Sequence, residues 1–173
     1  MTIHTARLDL VPCQPAHILL LRTTPERFAE HAGFPAHAGL ADMHNSPDVS
    51  PEWIATLEGA TGADPWRFGF FLVERAQGCA IGSAGFTGPP NVAGEVEIAY
   101  GLVAEREGQG FATEAARALI DFALADRRVM RLCAHTLTEP NASTRVLTKC
   151  GFAFAGEETV PCDGLVWRWE RAR

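Results

Sequence analysis

The chain has 173 residues, 47% of them hydrophobic, and a formal net charge of −6. That length suits a single domain, residues 1–173, with a sizeable core, and the lack of any basic patch or Lys/Arg run argues against a sequence-blind nucleic-acid binder. No apolar run approaches the roughly 20 residues a membrane helix needs. The opening residues, Met1 to Thr5, do not read as a signal peptide. The five cysteines, Cys13, Cys79, Cys133, Cys150 and Cys162, are scattered, odd in number and without a C-x-x-C pair. They read as buried or free thiols in a reducing cytoplasm. The six histidines form no H-x-x-x-H pair, so no metal site is expected.

Ala6 to Pro12 alternates, with Leu8 and Leu10 on one face, and reads as a strand stopped by Pro12. A short helix follows over His17 to Leu21. Residues 24–64 are the least regular part. Pro25, Pro35, Pro47 and Pro51 break them up, and Glu26, Glu30, Asp42, Asp48, Glu52, Glu58 and Asp64 face one base, Arg27. This region is either a solvated acidic surface or a lid that attracts a cationic amine. Within it, Ser50-Pro51-Glu52-Trp53 looks like a helix start, with Ser at the N-cap and Pro first in the helix.

Trp66 to Glu74 reads as a strand, Ala76-Gln77-Gly78 as a turn, and Cys79 to Phe86 as the second arm of a hairpin. After the Gly88-Pro89-Pro90-Asn91 loop, Glu95 to Val103 makes a third strand. Glu107-Gly108-Gln109-Gly110-Phe111-Ala112 then leads into a helix reaching about Ala125, with Ala115, Leu119, Phe122 and Ala123 at helical spacing. Val129 to Thr136 is a further strand. Glu139-Pro140-Asn141 opens a helix through Lys149, which Gly151 stops. Phe152 to Val160 and Leu165 to Glu170 read as a closing hairpin around Pro161-Cys162-Asp163-Gly164. The order β-α-α-β-β-β-α-β-α-β-β predicts an α+β domain with a mixed, mainly antiparallel sheet. Its one parallel crossover, from Val103 to Val129, should be right-handed.

The glycines at 108 and 110 fall on the strand-to-helix turn. A turn of that kind aims unpaired N–H groups at one point, at the positive end of a helix dipole, and so makes an anion site for which phosphate is the usual occupant. Glycine there lets the backbone approach the ligand and adopt positive φ. The third glycine of a dinucleotide fingerprint is missing, as is the Lys-Ser/Thr of a P-loop.

The run E-G-Q-G-F-A-T-E-A resembles the Q/R-x-x-G-x-G/A pyrophosphate loop of the GNAT N-acetyltransferase superfamily. Asn141 to Phe152 looks like its N-x-S-x-R-V-L-x-K-x-G-F segment. Together they resemble the branch holding the ribosomal-protein N-terminal acetyltransferases RimJ and RimL, densely from about Arg67 to Phe152. Glu107 departs from the pattern, standing where Gln or Arg is usual, and implies weaker rather than lost cofactor affinity.

The resemblance implies that the two parallel strands splay apart and that acetyl-CoA enters the gap. Its pyrophosphate would lie on Glu107, Gly108, Gln109, Gly110, Phe111 and Ala112, with the Thr113 hydroxyl. Its pantetheine would pair with the backbone of Tyr100, Gly101 and Leu102. Asn141 would contact the cofactor arm and also suits a helix N-cap.

Acetyl transfer to an amine needs a neutral amine, a donor to the oxyanion and a proton for the leaving thiolate. Many members use a tyrosine for the last task, but Leu147 holds that position here and Ser143 becomes the candidate. The base candidates are Glu97 and Glu95, which share a strand face, with His135 on the neighbouring strand. The resemblance favours Glu97. The acceptor is a protein N-terminal α-amine or a small amine such as an antibiotic, polyamine or amino acid. A non-catalytic acyl-CoA-binding module is the alternative. Oligomeric state stays open, a homodimer included.

Overall fold

The computed structural model describes residues 1–47, 49–161 and 163–173. Asp48 of the acidic segment and Cys162 of the last turn therefore lie outside the described residues. The strands are β1 (Ile3–His4), β2 (Leu8–Pro12), β3 (Phe70–Glu74), β4 (Cys79–Phe86), β5 (Glu95–Leu102), β6 (Arg131–Thr136), β7 (Ala153–Val160) and β8 (Gly164–Ala172). Among the described residues they form one sheet in the order β1-β2-β3-β4-β5-β6-β8-β7. Every neighbouring pair is antiparallel except β5–β6. The expected α+β class with one parallel pair is what the chain adopts.

The helices are α1 (Pro15–Thr23), α2 (Phe28–Ala32), α3 (Ala38–His44), α4 (Pro51–Glu58), α5 (Pro65–Phe68), α6 (Phe111–Ala125) and α7 (Ala142–Lys149). Among the described residues, none is long and apolar enough to cross a membrane. Phe70, Phe71, Leu72, Leu8, Leu10 and Ile81 are fully buried at the centre of the sheet. α6 turns Ala115, Ala116, Leu119 and Ala123 inward. Three of those four residues are alanines, so the helix can lie close to the sheet. Phe122 fills the adjoining space and stacks on Phe86.

Three expectations need correcting. Trp66 to Phe68 belong to α5, not to the strand. Asp64 caps that helix by accepting the Trp66 N–H at 3.0 Å, and Pro65 stands at its first position. Capping chemistry outweighs the β-propensity of the aromatic run. The chain then breaks at Gly69 (φ 67°), where a Cβ would stand 2.5 Å from the Ala84 carbonyl oxygen. The chain also starts a strand earlier than expected, at Ile3–His4. Residues 24–64 are more regular than expected, because Phe28, Leu40 and Leu57 are buried and give α2, α3 and α4 each an inner side. The Ser50 cap forms as expected and accepts the Trp53 N–H at 3.2 Å.

α3 carries a buried histidine. His44 is 8% exposed, lies edge-on to Phe71, and among the described residues its Nε2 has no hydrogen-bond partner. Arg22 donates to its backbone carbonyl. Burial, helped by the Arg22 charge, depresses the His44 pKa from 6.5 to about 4. Between those values the unfolded chain binds the proton that the folded chain refuses, so stability falls as pH drops through that window. The shift is worth about 3 kcal/mol. Thermal unfolding from pH 7 to 4.5 should therefore decline less steeply in His44→Leu than in the wild-type chain. Equal slopes would contradict this reading of His44.

Candidate active site

The site is built where β5 leaves β6. The parallel pair runs only from Glu95↔Arg131 to Glu97↔Cys133. Beyond it β5 continues to Leu102, paired with β4 on its other side, while β6 continues to Thr136 paired with β8. The two strands thus fork just past Glu97. Among the described residues, the β5 backbone from Ala99 to Leu102 has no strand partner on the side of the gap.

The turn after β5 makes the anion cradle. Gly108 (φ 71°) and Gly110 (φ 85°) are both left-handed, a conformation glycine adopts without penalty. The first bond of α6 runs from the Glu114 N–H to the Gly110 carbonyl. The N–H groups of Phe111, Ala112 and Thr113 are therefore left without acceptors inside the helix. The turn is held from behind. Arg7 donates to the Gln109 carbonyl at 2.9 Å, and its guanidinium lies 4.3 Å from the centre of the Phe111 ring.

A cleft of about 430 Å³ joins fork and cradle. Tyr100, Gly101 and Leu102 line one part, Glu107, Gly108, Gly110, Ala112 and Thr113 a second, and Ser143 with its α7 neighbours the third. Three of the cofactor-contact candidates stand outside its lining. Gln109 turns its side-chain amide onto the Glu105 carbonyl. Phe111 is buried. Asn141 is the N-cap of α7, accepting the Thr144 N–H at 3.0 Å in a reciprocal capping box, so its cap reading holds and its NH2 group takes no part in the cap. A larger open groove of about 680 Å³ lies between the N-terminal strand and α6, away from the fork.

Sequence reasoning missed Arg145 and Lys149, which line the cleft from α7. They stand four residues apart, so one helix face carries two cations. That spacing was legible within the Asn141–Phe152 segment. They set positive charge across the cleft from the exposed Glu107 carboxylate. Leu147 is buried in the core, which agrees with the absence of a tyrosine there. The phenol of Tyr100 nevertheless reaches α7 and donates to the Ser143 carbonyl at 3.4 Å. Burial, with Cys150 nearby, pushes that phenol above its ordinary pKa, so it stays protonated.

The opposite face of the fork carries the acid–base groups. Glu97 Oε1 lies 2.7 Å from His135 Nδ1. His135 Nε2 is 3.3 Å from Glu158 Oε1, off the line of a hydrogen bond. Glu95 shares that face, as expected, but is held by Arg168 at 2.6 Å. Burial works against the Arg168 charge, yet Glu170 and Glu95 keep it protonated. Glu95 is thus tied into an ion pair, whereas Glu97 has the histidine beside it. A cavity of about 240 Å³ opens on Glu97, His135 and Cys133 under the Thr87–Asn91 loop. Burial, with the charge of Glu95, raises the Cys133 thiol to about 12, so it is no thiolate nucleophile.

Comparison with known proteins bears on this arrangement. The sequence model of the acetyltransferase (GNAT) domain family matches residues 7–153. The chain is 31% identical over 101 residues to the uncharacterized N-acetyltransferase YjdG of Bacillus subtilis, an alignment spanning 58% of each protein. In fold it is similar to a GNAT-family acetyltransferase from Bacillus anthracis, with a TM-score of 0.67 at 17% identity over 99% of this chain and 98% of that one. It is also similar to RimL, a ribosomal alpha-N-protein acetyltransferase solved with coenzyme A, with a TM-score of 0.67 at 14% identity over 99% and 98% of the two chains.

Proposed function

The chain belongs to the GNAT acetyltransferase domain family, and from that premise we propose that it is of the RimJ/RimL-like branch and transfers the acetyl group of acetyl-CoA to a primary amine by direct attack. The observation that carries the proposal is the fork. The Glu97–His135 pair stands on one face, and the cleft lined by the phosphate-type turn stands on the other. Acetyl-CoA supplies an activated thioester carbonyl. The N–H groups of the Gly108–Thr113 turn would hold its pyrophosphate, and the free side of β5 at Tyr100, Gly101 and Leu102 would pair with its pantetheine.

In this reading Glu97 takes the proton from the incoming amine, and the hydrogen bond to His135 fixes the carboxylate at the fork. Ser143, lining the cleft, passes a proton to the departing thiolate and takes its replacement from water. Cys133 beside Glu97 stays a thiol, which favours direct transfer over an acyl-enzyme on that residue. The acceptor side is the 24–64 region. α3 lies over β5 there, since a Cβ on Gly101 would meet Met43 Cε at 2.8 Å. The exposed Glu26, Glu30, Asp42, Glu52 and Glu58 give that region an acidic surface to attract a cationic amine. The assignment of a cytoplasmic location belongs to the same reading.

The acceptor that fits is an amine of low pKa. An α-amine titrates near 8 and a lysine side chain near 10.4. At pH 7.5 roughly a quarter of an α-amine is neutral, against about one lysine in a thousand. One glutamate suffices for the first. The second would need about 3 kcal/mol more from the site. Two peptides test this, one with a free terminus and blocked lysines, the other with a blocked terminus and a free lysine. The expected kcat/KM ratio at pH 7.5 is about a hundredfold or more in favour of the terminus. A preference for lysine would overturn the assignment of the acceptor.

A further inference from the structure

The cradle that should bind a pyrophosphate has two carboxylates around it, Glu107 in the turn and Glu114 in the first turn of α6. A carboxylate in the first turn of a helix competes with an anionic ligand for the same positive end. Glu114 is tied down by the N-terminal segment. Its Oε1 accepts the Thr5 hydroxyl and the Arg7 backbone N–H, both at 2.6 Å, and its Oε2 accepts Arg7 Nε at 2.8 Å. The same guanidinium donates to the Gln109 carbonyl and covers the Phe111 ring. Arg75 holds the turn that carries Arg7 by donating to the Thr5 and Leu8 carbonyls and to Asp9.

We infer that Arg7, a residue on the entry to β2, is a positioning residue for the cofactor: it neutralises Glu114, turns that carboxylate away from the N–H cradle and fixes the Gln109 peptide, so that an acid-flanked turn accepts a pyrophosphate. This rests on the reading of the turn as the acetyl-CoA site. It goes beyond that reading by assigning a role to residues about a hundred positions earlier in the chain.

A plain packing role and this electrostatic role predict opposite results for a second mutation. Without Arg7 the Glu114 charge is left beside the cradle, so Arg7→Gln should raise the Kd for acetyl-CoA by about ten- to thirtyfold. The kcat at saturating acetyl-CoA should stay within about twofold. Adding Glu114→Gln removes the offending charge, and the double variant should return to within about threefold of wild type. If Arg7 only packs, losing its partner as well gains nothing. Calorimetric titration of acetyl-CoA into each folded protein reads the difference, with thermal unfolding as the check on folding. Arg7→Lys keeps the charge but loses the planar fork that bridges Glu114 and the Gln109 carbonyl, so it serves if Arg7→Gln does not fold and should bind about three- to tenfold more weakly than wild type. A wild-type Kd in Arg7→Gln, a double variant no tighter than the single one, or, where only Arg7→Lys folds, a Kd unchanged from wild type would overturn the inference. If the wild-type protein itself fails to bind acetyl-CoA, the assignment of the turn falls and this inference with it.

Discussion

Glu97→Gln lowers kcat for a terminal-amine peptide by about 10²- to 10³-fold at neutral pH, with the Kd for acetyl-CoA within about twofold of wild type. The glutamine keeps the size of the side chain and a hydrogen-bonding atom toward His135, so the fork should hold. What it loses is the ability to take a proton. The defect should be largest at low pH, where the acceptor arrives charged. It should shrink as pH rises through 8 to 9, because solvent then removes the proton from an amine that titrates near 8. Glu95→Gln is the contrasting variant. Glu95 is bonded to Arg168 at 2.6 Å, so its loss should act on stability first and leave the pH profile of kcat unchanged in shape. A Glu97→Gln profile identical to wild type at every pH would remove Glu97 as the base and bring His135 forward.

Gly110→Val abolishes measurable acetyl-CoA binding, a loss of about a hundredfold or more, in a protein that still folds. Gly110 sits at φ 85°, where a β-branched residue is strongly disfavoured. A Cβ there would also stand 3.4 Å from Arg7 Nη2, the group that braces the turn. The residue is exposed, and backbone strain costs about 1–3 kcal/mol, which a domain of ordinary stability survives. Gly78→Val controls for strain alone. Gly78 has φ 60° in the β3–β4 turn, with nothing near a Cβ. Titration of both variants with acetyl-CoA should show binding by Gly78→Val and none by Gly110→Val. Wild-type affinity in folded Gly110→Val would remove the cradle from the cofactor site.

The sheet and the cradle were legible in the sequence because their signals are local. Alternation marks Leu8 and Leu10, glycines mark the turn before α6, and Asn141 marks the start of α7 as an N-cap residue. The misread stretch, Trp66 to Phe68, carries two local signals that conflict. Its aromatics favour a strand, but Asp64-Pro65 caps a helix, and the cap prevails in the structure. The pairing of Glu97 with His135 could not be read from spacing, since the two lie on separate strands and meet only through the β5–β6 register. The same holds for Arg7 and Glu114, which are brought together by the packing of the N-terminal segment on α6. Helices α2 and α3 were hidden by prolines and acids, and of α4 only the start at Ser50-Pro51 showed. Their inner sides rest on single buried residues such as Phe28 and Leu57, too few to set up a visible period. Tyr100 was placed on the β5 strand, but a strand position does not reveal that its phenol reaches across the gap to α7.

The most direct test of the account is a balance sheet for one reaction. The wild-type protein is incubated with acetyl-CoA and a panel of amines, comprising terminal-amine peptides, blocked peptides with free lysine, polyamines and amino acids. Free thiol release and acetylated product, identified by mass, are measured together. The account predicts release of one thiol per acetylated amine, fastest with a free terminal α-amine and slowed about 10²- to 10³-fold in Glu97→Gln. Tight binding of acetyl-CoA with no thiol release above the uncatalysed rate on any amine would contradict it and leave the fold as an acyl-CoA-binding module.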